Sequence, residues 1–183
     1  MGTIRSSLLE KYAVGNTFVE TGCQEGWTFY TALDFGFEEI YGIELHPDLC
    51  YITAQKFIDN ENVYVMLGES PDLLAKICPE LTEPATFWLD AHVSGPDMPG
   101  GKYGPCPLLL ELEAIKTSPC KDHVILIDDI RLMNTYEWDY LDKQDVINAL
   151  LDINPNYQIT YEDGEEDGTL PNDILIASIK NIG

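Results

Sequence analysis

The chain has 183 residues, 45% hydrophobic and 23% charged, long enough for one domain with a sizeable core and of a composition that excludes a disordered polymer or a disulfide scaffold. Its 32 acidic residues against 10 basic ones give a net charge of −22, which argues against direct nucleic-acid or anionic-membrane binding, because a phosphate-binding face needs clustered cations. The five cysteines lack zinc-site spacing, no apolar stretch approaches the roughly 20 residues of a membrane helix, and the N-terminus has no signal-peptide core; a cytoplasmic chain with reduced thiols is expected.

Asn16 to Gly22 (NTFVETG) reads as a β-rich run stopped by glycine, and Glu25 to Phe35 carries helix-compatible spacing up to Gly36. Glu39 to Leu45 is a second strand, followed by a helix over His46 to Asp59 with Pro47 in its first turn. Asn62 to Leu67 is the third strand, and Ser70 reads as the N-cap of a helix over Pro71 to Ile77. Thr86 to Leu89 is the fourth, running into Asp90, Ala91 and His92 and then a Gly- and Pro-dense loop, Val93 to Pro105, too long for a mere connector. A helix over Pro107 to Lys116 precedes His123 to Ile127, whose continuous apolar character implies burial on both faces. Gln144 to Asp152 is a further helix. Tyr157 to Tyr161 and Ile174 to Ile179 pair as an antiparallel hairpin, since only an acidic, glycine-containing segment joins them.

This alternation predicts an α/β chain with residues 1–183 as a single domain: a Rossmann-like, doubly wound seven-stranded sheet, mostly parallel with the last strand antiparallel. Ligands of such sheets bind outside the carboxyl ends of the strands. The informative positions are therefore Glu20 to Gly26, Glu44, Gly68 to Ser70, Asp90 to His92, and Asp128 with Asp129, nearly all of which include an acidic residue. Gly22 and Gly26 sit at a strand-to-helix turn where backbone can approach a ligand, with a helix N-terminus and the Thr28 hydroxyl alongside. A plain structural turn is the alternative, and the spacing is not the G-x-G-x-x-G of dinucleotide folds. Glu44 closes the second strand, where a carboxylate can accept both hydroxyls of a ribose. Helix capping or simple solvation is the alternative for the acidic strand ends.

Taken in order, E-x-G-x-x-x-G-[WY]-[ST] from Glu20, I-E-x-x-P-D from Ile43, G-x-S-x-D-L from Gly68, L-D-x-H from Leu89 and the aliphatic strand ending in Asp128-Asp129 resemble the class I S-adenosylmethionine-dependent methyltransferases. The match runs from Asn16 to Ile130 and is most similar to the metal-dependent O-methyltransferases of catechol and macrolide-sugar type. The resemblance implies that Glu20, Gly22, Gly26 and Thr28 surround the methionine end of S-adenosylmethionine. Glu44 would hold the ribose, Gly68, Glu69 and Ser70 would sit by the adenine, and Asp90 would also border the cofactor. Asp90, Asp128 and Asp129 fall where that family binds Mg2+ or another divalent cation, and three clustered carboxylates need such a counter-charge. The implied activity is methylation of a hydroxyl on a small molecule or sugar, with neither nucleic acid nor membrane as partner.

Catechol-type enzymes use a lysine shortly after the first metal aspartate; here the sequence is Ala91-His92-Val93. His92 is the preferred base, its ordinary pKa suiting neutral pH, with Lys102 second; a capping or ligand-orienting role is the alternative for His92. Trp27, Trp88 and Trp138 read as core residues, with an acceptor wall as the alternative for Trp138, Cys106 reads as packing, and His46 and His123 as background. Acceptor choice is expected to lie in Val93 to Pro105 and Ile130 to Asp142. The short N-terminal segment leaves room for a partner subunit to complete the site. An oxidoreductase on a related fold is the first rival, opposed by the missing G-x-G-x-x-G; a non-catalytic cofactor-binding module is the second, suggested by the missing lysine.

Overall fold

The computed structural model describes residues 3–93, 100–164 and 168–179. After a short helix, α1 (Ser6–Tyr12), the chain runs β1 (Thr17–Thr21), α2 (Trp27–Phe35), β2 (Glu39–Glu44), α3 (Pro47–Lys56), β3 (Val63–Leu67), α4 (Ser70–Ile77), β4 (Ala85–Leu89), α5 (Leu108–Ile115), β5 (Val124–Ile127), α6 (Lys143–Ile153), β6 (Gln158–Glu162) and β7 (Ile174–Ser178). The strands form one seven-stranded sheet in the order β3-β2-β1-β4-β5-β7-β6. All neighbours from β3 to β5 are parallel, and β7 lies antiparallel between β5 and β6.

Side-chain alternation along each strand sends successive residues to opposite faces of the sheet. Phe18, Ile40, Trp88, Val124, Leu126 and Ile176 meet α1, α2 and Phe57 on one face. Val19, Ile43, Phe87, Leu89, Ile125, Ile127 and Leu175 meet α4, α5 and α6 on the other. The central strands are thus buried from both sides, as their apolar runs predict. Helix ends follow local chemistry. Gly36, left-handed at φ 98°, closes α2 by donating its N–H to Ala32 and Leu33 carbonyls, while the Asp142 carboxylate caps α6 by accepting from Gln144 N at 2.7 Å. No helix among the described residues is long and apolar enough to cross a membrane.

Several expectations change. Helix α1 was not foreseen; it is buried through Leu8, Leu9 and Tyr12 and tied to β6 by Lys11 and Tyr12, each 2.6 Å from Glu162 Oε1. Ser70 is not an N-cap: Glu69 holds that position without a side-chain bond, and Ser70 is the first helical residue. Trp27 is not core but 48% exposed, with the Lys56 ammonium 4.7 Å from its ring. His123 keeps its reading as background to the chemistry: fully buried, it accepts Ala85 N–H at Nδ1 (3.0 Å), and burial pushes its pKa down to about 4. Residues 94–99 of the predicted specificity loop lie outside the described residues.

Candidate functional site

Strand β1 has β2 on one side and β4 on the other, so the sheet order reverses there. A crevice opens beyond the carboxyl ends at such a switch point. A cleft of about 340 Å³ occupies it, floored by Gly22, Gln24, Glu44 and Asp90 and rimmed by Glu69, Ser70 and the Gly100–Pro105 part of the long loop. Val93 N–H on the Pro105 carbonyl (2.9 Å) closes the base of that loop.

Glu44 ends β2 with its carboxylate braced from both sides. Oε2 accepts Gln24 N–H at 2.7 Å and Oε1 accepts His46 N–H at 2.8 Å. A carboxylate offers about four lone-pair sites, so acceptor capacity remains toward the cleft. Gly22 is left-handed at φ 73°, and a Cβ there would stand 2.4 Å from the Asp90 carbonyl oxygen, so the turn after β1 lies directly against the end of β4. Gln24, also left-handed at φ 45°, aims its N–H at Glu44.

Glu20, Gly22 and Thr28 converge with Asp90 in a small recess that shares Gly22, Gln24 and Asp90 with the cleft. Burial raises the Glu20 carboxyl to about 8 despite the Thr28 hydroxyl, which opposes the shift. Gly26 is not in that recess; it faces α3, where a Cβ would meet Thr53 Cγ2 at 2.7 Å. Gly68 and Ser70 line the cleft, as does Glu69, whose Oε1 accepts the Lys102 backbone N–H at 2.7 Å. The Lys102 ammonium lies 2.6 Å from Asp72, and the hydrogen bond to that carboxylate raises its pKa, so it is engaged away from the strand-end carboxylates and held protonated.

His92 is clamped between two of them. Nδ1 lies 3.3 Å from Asp90 Oδ1, Nε2 lies 3.2 Å from Asp129 Oδ2, and the ring is tilted against Trp138 at 5.8 Å between centroids. Burial, then the Asp128 and Asp129 charges, drive the Asp90 pKa well up. Burial, reinforced by Asp129, pushes Asp128 up to about 7. Burial acts on Asp129 in the same sense, but His92 and Arg131 outweigh it and hold its pKa low. The carboxyls facing the two ring nitrogens of His92 are thus driven in opposite directions, Asp90 up and Asp129 down.

The three aspartates share one sheet edge but do not converge as one set. Among the described residues, the donors lying within 4.8 Å of one another are Asp90, His92 and Asp129 in one group and Asp128, Asp129 and Asp173 in another. Asp128 Oδ1 turns to accept the Asp129 N–H at 2.9 Å. Arg131 bonds both Asp129 Oδ1 and the buried Asp173 Oδ2. Sequence reasoning singled out none of Asp173, Arg131, Gln24 and Glu111. Glu111 is 1% exposed on α5, and burial lifts its carboxyl to about 7 although the Ser70 and Thr21 hydroxyls beside it pull the other way. An i, i+3, i+4 count from Leu108 places Glu111 and Leu112 on the buried stripe, the one signal that could have marked it.

No family model and no curated protein matches the chain. Solved structures do. The Bacillus cereus O-methyltransferase in complex with SAH is 15% identical with a TM-score of 0.61, over 95% of this chain and 77% of that one. The N-methyltransferase NodS from Bradyrhizobium japonicum is 11% identical at a TM-score of 0.59, over 94% and 88%. Aeropyrum pernix fibrillarin with bound S-adenosyl-L-methionine is 16% identical at 0.56; 89% of this chain is covered, and it spans 66% of the fibrillarin. The likeness is one of fold: this is the seven-stranded methyltransferase architecture.

Proposed function

We propose that the chain is an S-adenosylmethionine-dependent O-methyltransferase acting on a hydroxyl of a small molecule or sugar, with residues 1–183 as one catalytic domain. The observation that carries this reading is the Glu44 carboxylate, braced by two backbone N–H groups at the end of β2 and bordering the switch-point cleft. That is where a ribose diol is held in folds of this architecture. Beside it, the recess formed by Glu20, Gly22, Thr28 and Asp90 suits the cationic sulfonium end, since a bound cation favours the ionised form of carboxyls whose pKa values burial raises. The net charge of −22 favours a small acceptor over RNA.

When bound, S-adenosylmethionine supplies an electrophilic methyl group whose bond to sulfur breaks as the acceptor oxygen bonds to carbon. The protein's task is to align the acceptor and take its hydroxyl proton. His92 does the latter. Asp129 faces Nε2 and fixes the tautomer with its proton there, leaving Nδ1, on the Asp90 side, to receive the acceptor's proton. Trp138 backs the ring.

The implied metal has a donor set: Asp90, His92 and Asp129 would hold a divalent cation, which would polarise the acceptor oxygen. An imidazole nitrogen among the donors suits manganese, iron or zinc better than magnesium, which favours oxygen alone. A ligating His92 nitrogen is not free to take a proton. The base role is favoured because Arg131 and His92 already engage both oxygens of Asp129.

Calorimetric titration with S-adenosylmethionine, and turnover to S-adenosylhomocysteine over a panel of hydroxyl compounds with and without chelator, test the proposal. Binding with turnover is expected. Turnover that survives excess chelator assigns His92 as base, and turnover lost to chelator assigns it as ligand. Binding without turnover across the panel would mark a cofactor-binding module, and no binding would overturn the reading.

A further inference from the structure

Helix α5 carries an acidic residue where its packing asks for an apolar one. Leu108, Leu112 and Ile115 face the sheet, and Glu111 is buried among them at 1% exposure. Burying a carboxyl in an apolar layer is costly unless its oxygens are satisfied. Although the Ser70 and Thr21 side chains adjoin it, Glu111 Oε1 has no hydrogen-bond partner of good geometry. A buried donor nearby is equally orphaned: Trp138 Nε1–H, on a ring 2% exposed. Both residues line one small pocket of about 10 Å³, with Asp90 and His92 also in its wall. That is about the space one water's centre occupies, and a buried water is stable when it has two to four polar partners.

We propose that Glu111 is a positioning residue: it holds a buried water that accepts from Trp138 Nε1–H and donates to Glu111 Oε1, fixing the indole against His92. Two orphaned groups of opposite hydrogen-bonding character on one water-sized void are both satisfied by such a bridge, and buried polar atoms are rarely left unpaired. The bridge links α5 to the Tyr136–Trp138 turn and thereby sets the wall on which the His92 ring rests, 5.8 Å away. Its effect on turnover rests on the base assignment made above, whereas the water itself does not. The bridge predicts a pattern of rescue that simple loss of packing would not give. Glu111→Gln retains a side-chain oxygen acceptor and should retain the bridge. Glu111→Leu and Trp138→Phe each remove one end.

The test has two independent arms. In the first, the indole resonances of 15N-labelled protein are assigned with Trp138→Phe. The Trp138 Nε1–H is expected to be protected from hydrogen exchange in the parent and in Glu111→Gln, and to lose that protection in Glu111→Leu while Trp88 is unmoved. A crystal structure should show one water between the two side chains. In the second arm, Glu111→Leu and Trp138→Phe should each lower kcat about tenfold, one hydrogen bond's worth, with KM for S-adenosylmethionine unchanged and the double variant no worse than either single. An empty void, an unprotected indole in the parent, or losses that multiply in the double variant would overturn the proposal. A protein without any methyltransferase turnover but with the water and the protected indole would refute the function while leaving the bridge standing. If Glu111→Leu does not fold, Trp138→Phe and Glu111→Gln still decide it.

Discussion

Replacing Glu44 by glutamine changes one atom's chemistry and should be felt twice. The carboxylate accepts Gln24 N–H at 2.7 Å through one oxygen and His46 N–H at 2.8 Å through the other. An amide of the same shape keeps one acceptor oxygen and points an NH2 group at the other backbone donor, so one charge-assisted hydrogen bond is lost, at about 1.5–3 kcal/mol. Against a typical domain stability of about 5–15 kcal/mol the variant stays folded at 25 °C, which keeps binding measurable. The ribose diol then meets a neutral amide with fewer free lone pairs, and loss of one charge-assisted contact there weakens cofactor binding about tenfold or more. Urea unfolding reads the first effect and titration calorimetry with S-adenosylmethionine the second. Destabilisation with unchanged affinity would reduce Glu44 to a loop brace and remove it from the cofactor site. Unchanged stability would refute the two-bond geometry itself.

Burial holds the Glu20 carboxyl at about 8 against an ordinary value of 4.5, so the folded state keeps a proton that the unfolded chain releases. That stabilisation is complete below about 4.5 and is lost as pH rises through about 8; Tm should therefore fall from about pH 5 to about pH 8, and less steeply in Glu20→Gln. An equal slope in the two proteins would refute the assignment. Gly22→Ala combines a left-handed φ of 73° with a Cβ 2.4 Å from a backbone oxygen, and should cost about 2–5 kcal/mol in urea unfolding; a smaller loss would show that the turn can open away from Asp90. His92→Asn should cut turnover about 10²–10⁴-fold without weakening cofactor binding, whereas Lys102→Ala, whose ammonium sits on Asp72, should turn over at the parental rate. The reverse ranking in a steady-state assay would make Lys102 the base.

The alternation of strands and helices was legible because parallel strands buried on both faces must be apolar throughout, as VILI at 124–127 is. The acidic strand ends were legible too, since a parallel sheet collects the places where strands stop at one edge. Helix α1 was not, because seven residues carry too little periodicity to stand out and form only by packing Leu8, Leu9 and Tyr12 on the sheet. Sequence order alone also leaves open which strand of the terminal hairpin pairs with β5. Insertion of β7 antiparallel beside β5, with Leu175 opposite Ile127, brings the start of β7 to the carboxyl edge, and with it Asp173 to Arg131 and Asp129. Partners that meet across a sheet leave no local pattern in either segment. For the same reason the sequence could nominate Asp90, His92 and Asp129 one by one, while only the tertiary structure set His92 between the two carboxylates, moved Lys102 onto Asp72, and buried Glu111 behind them.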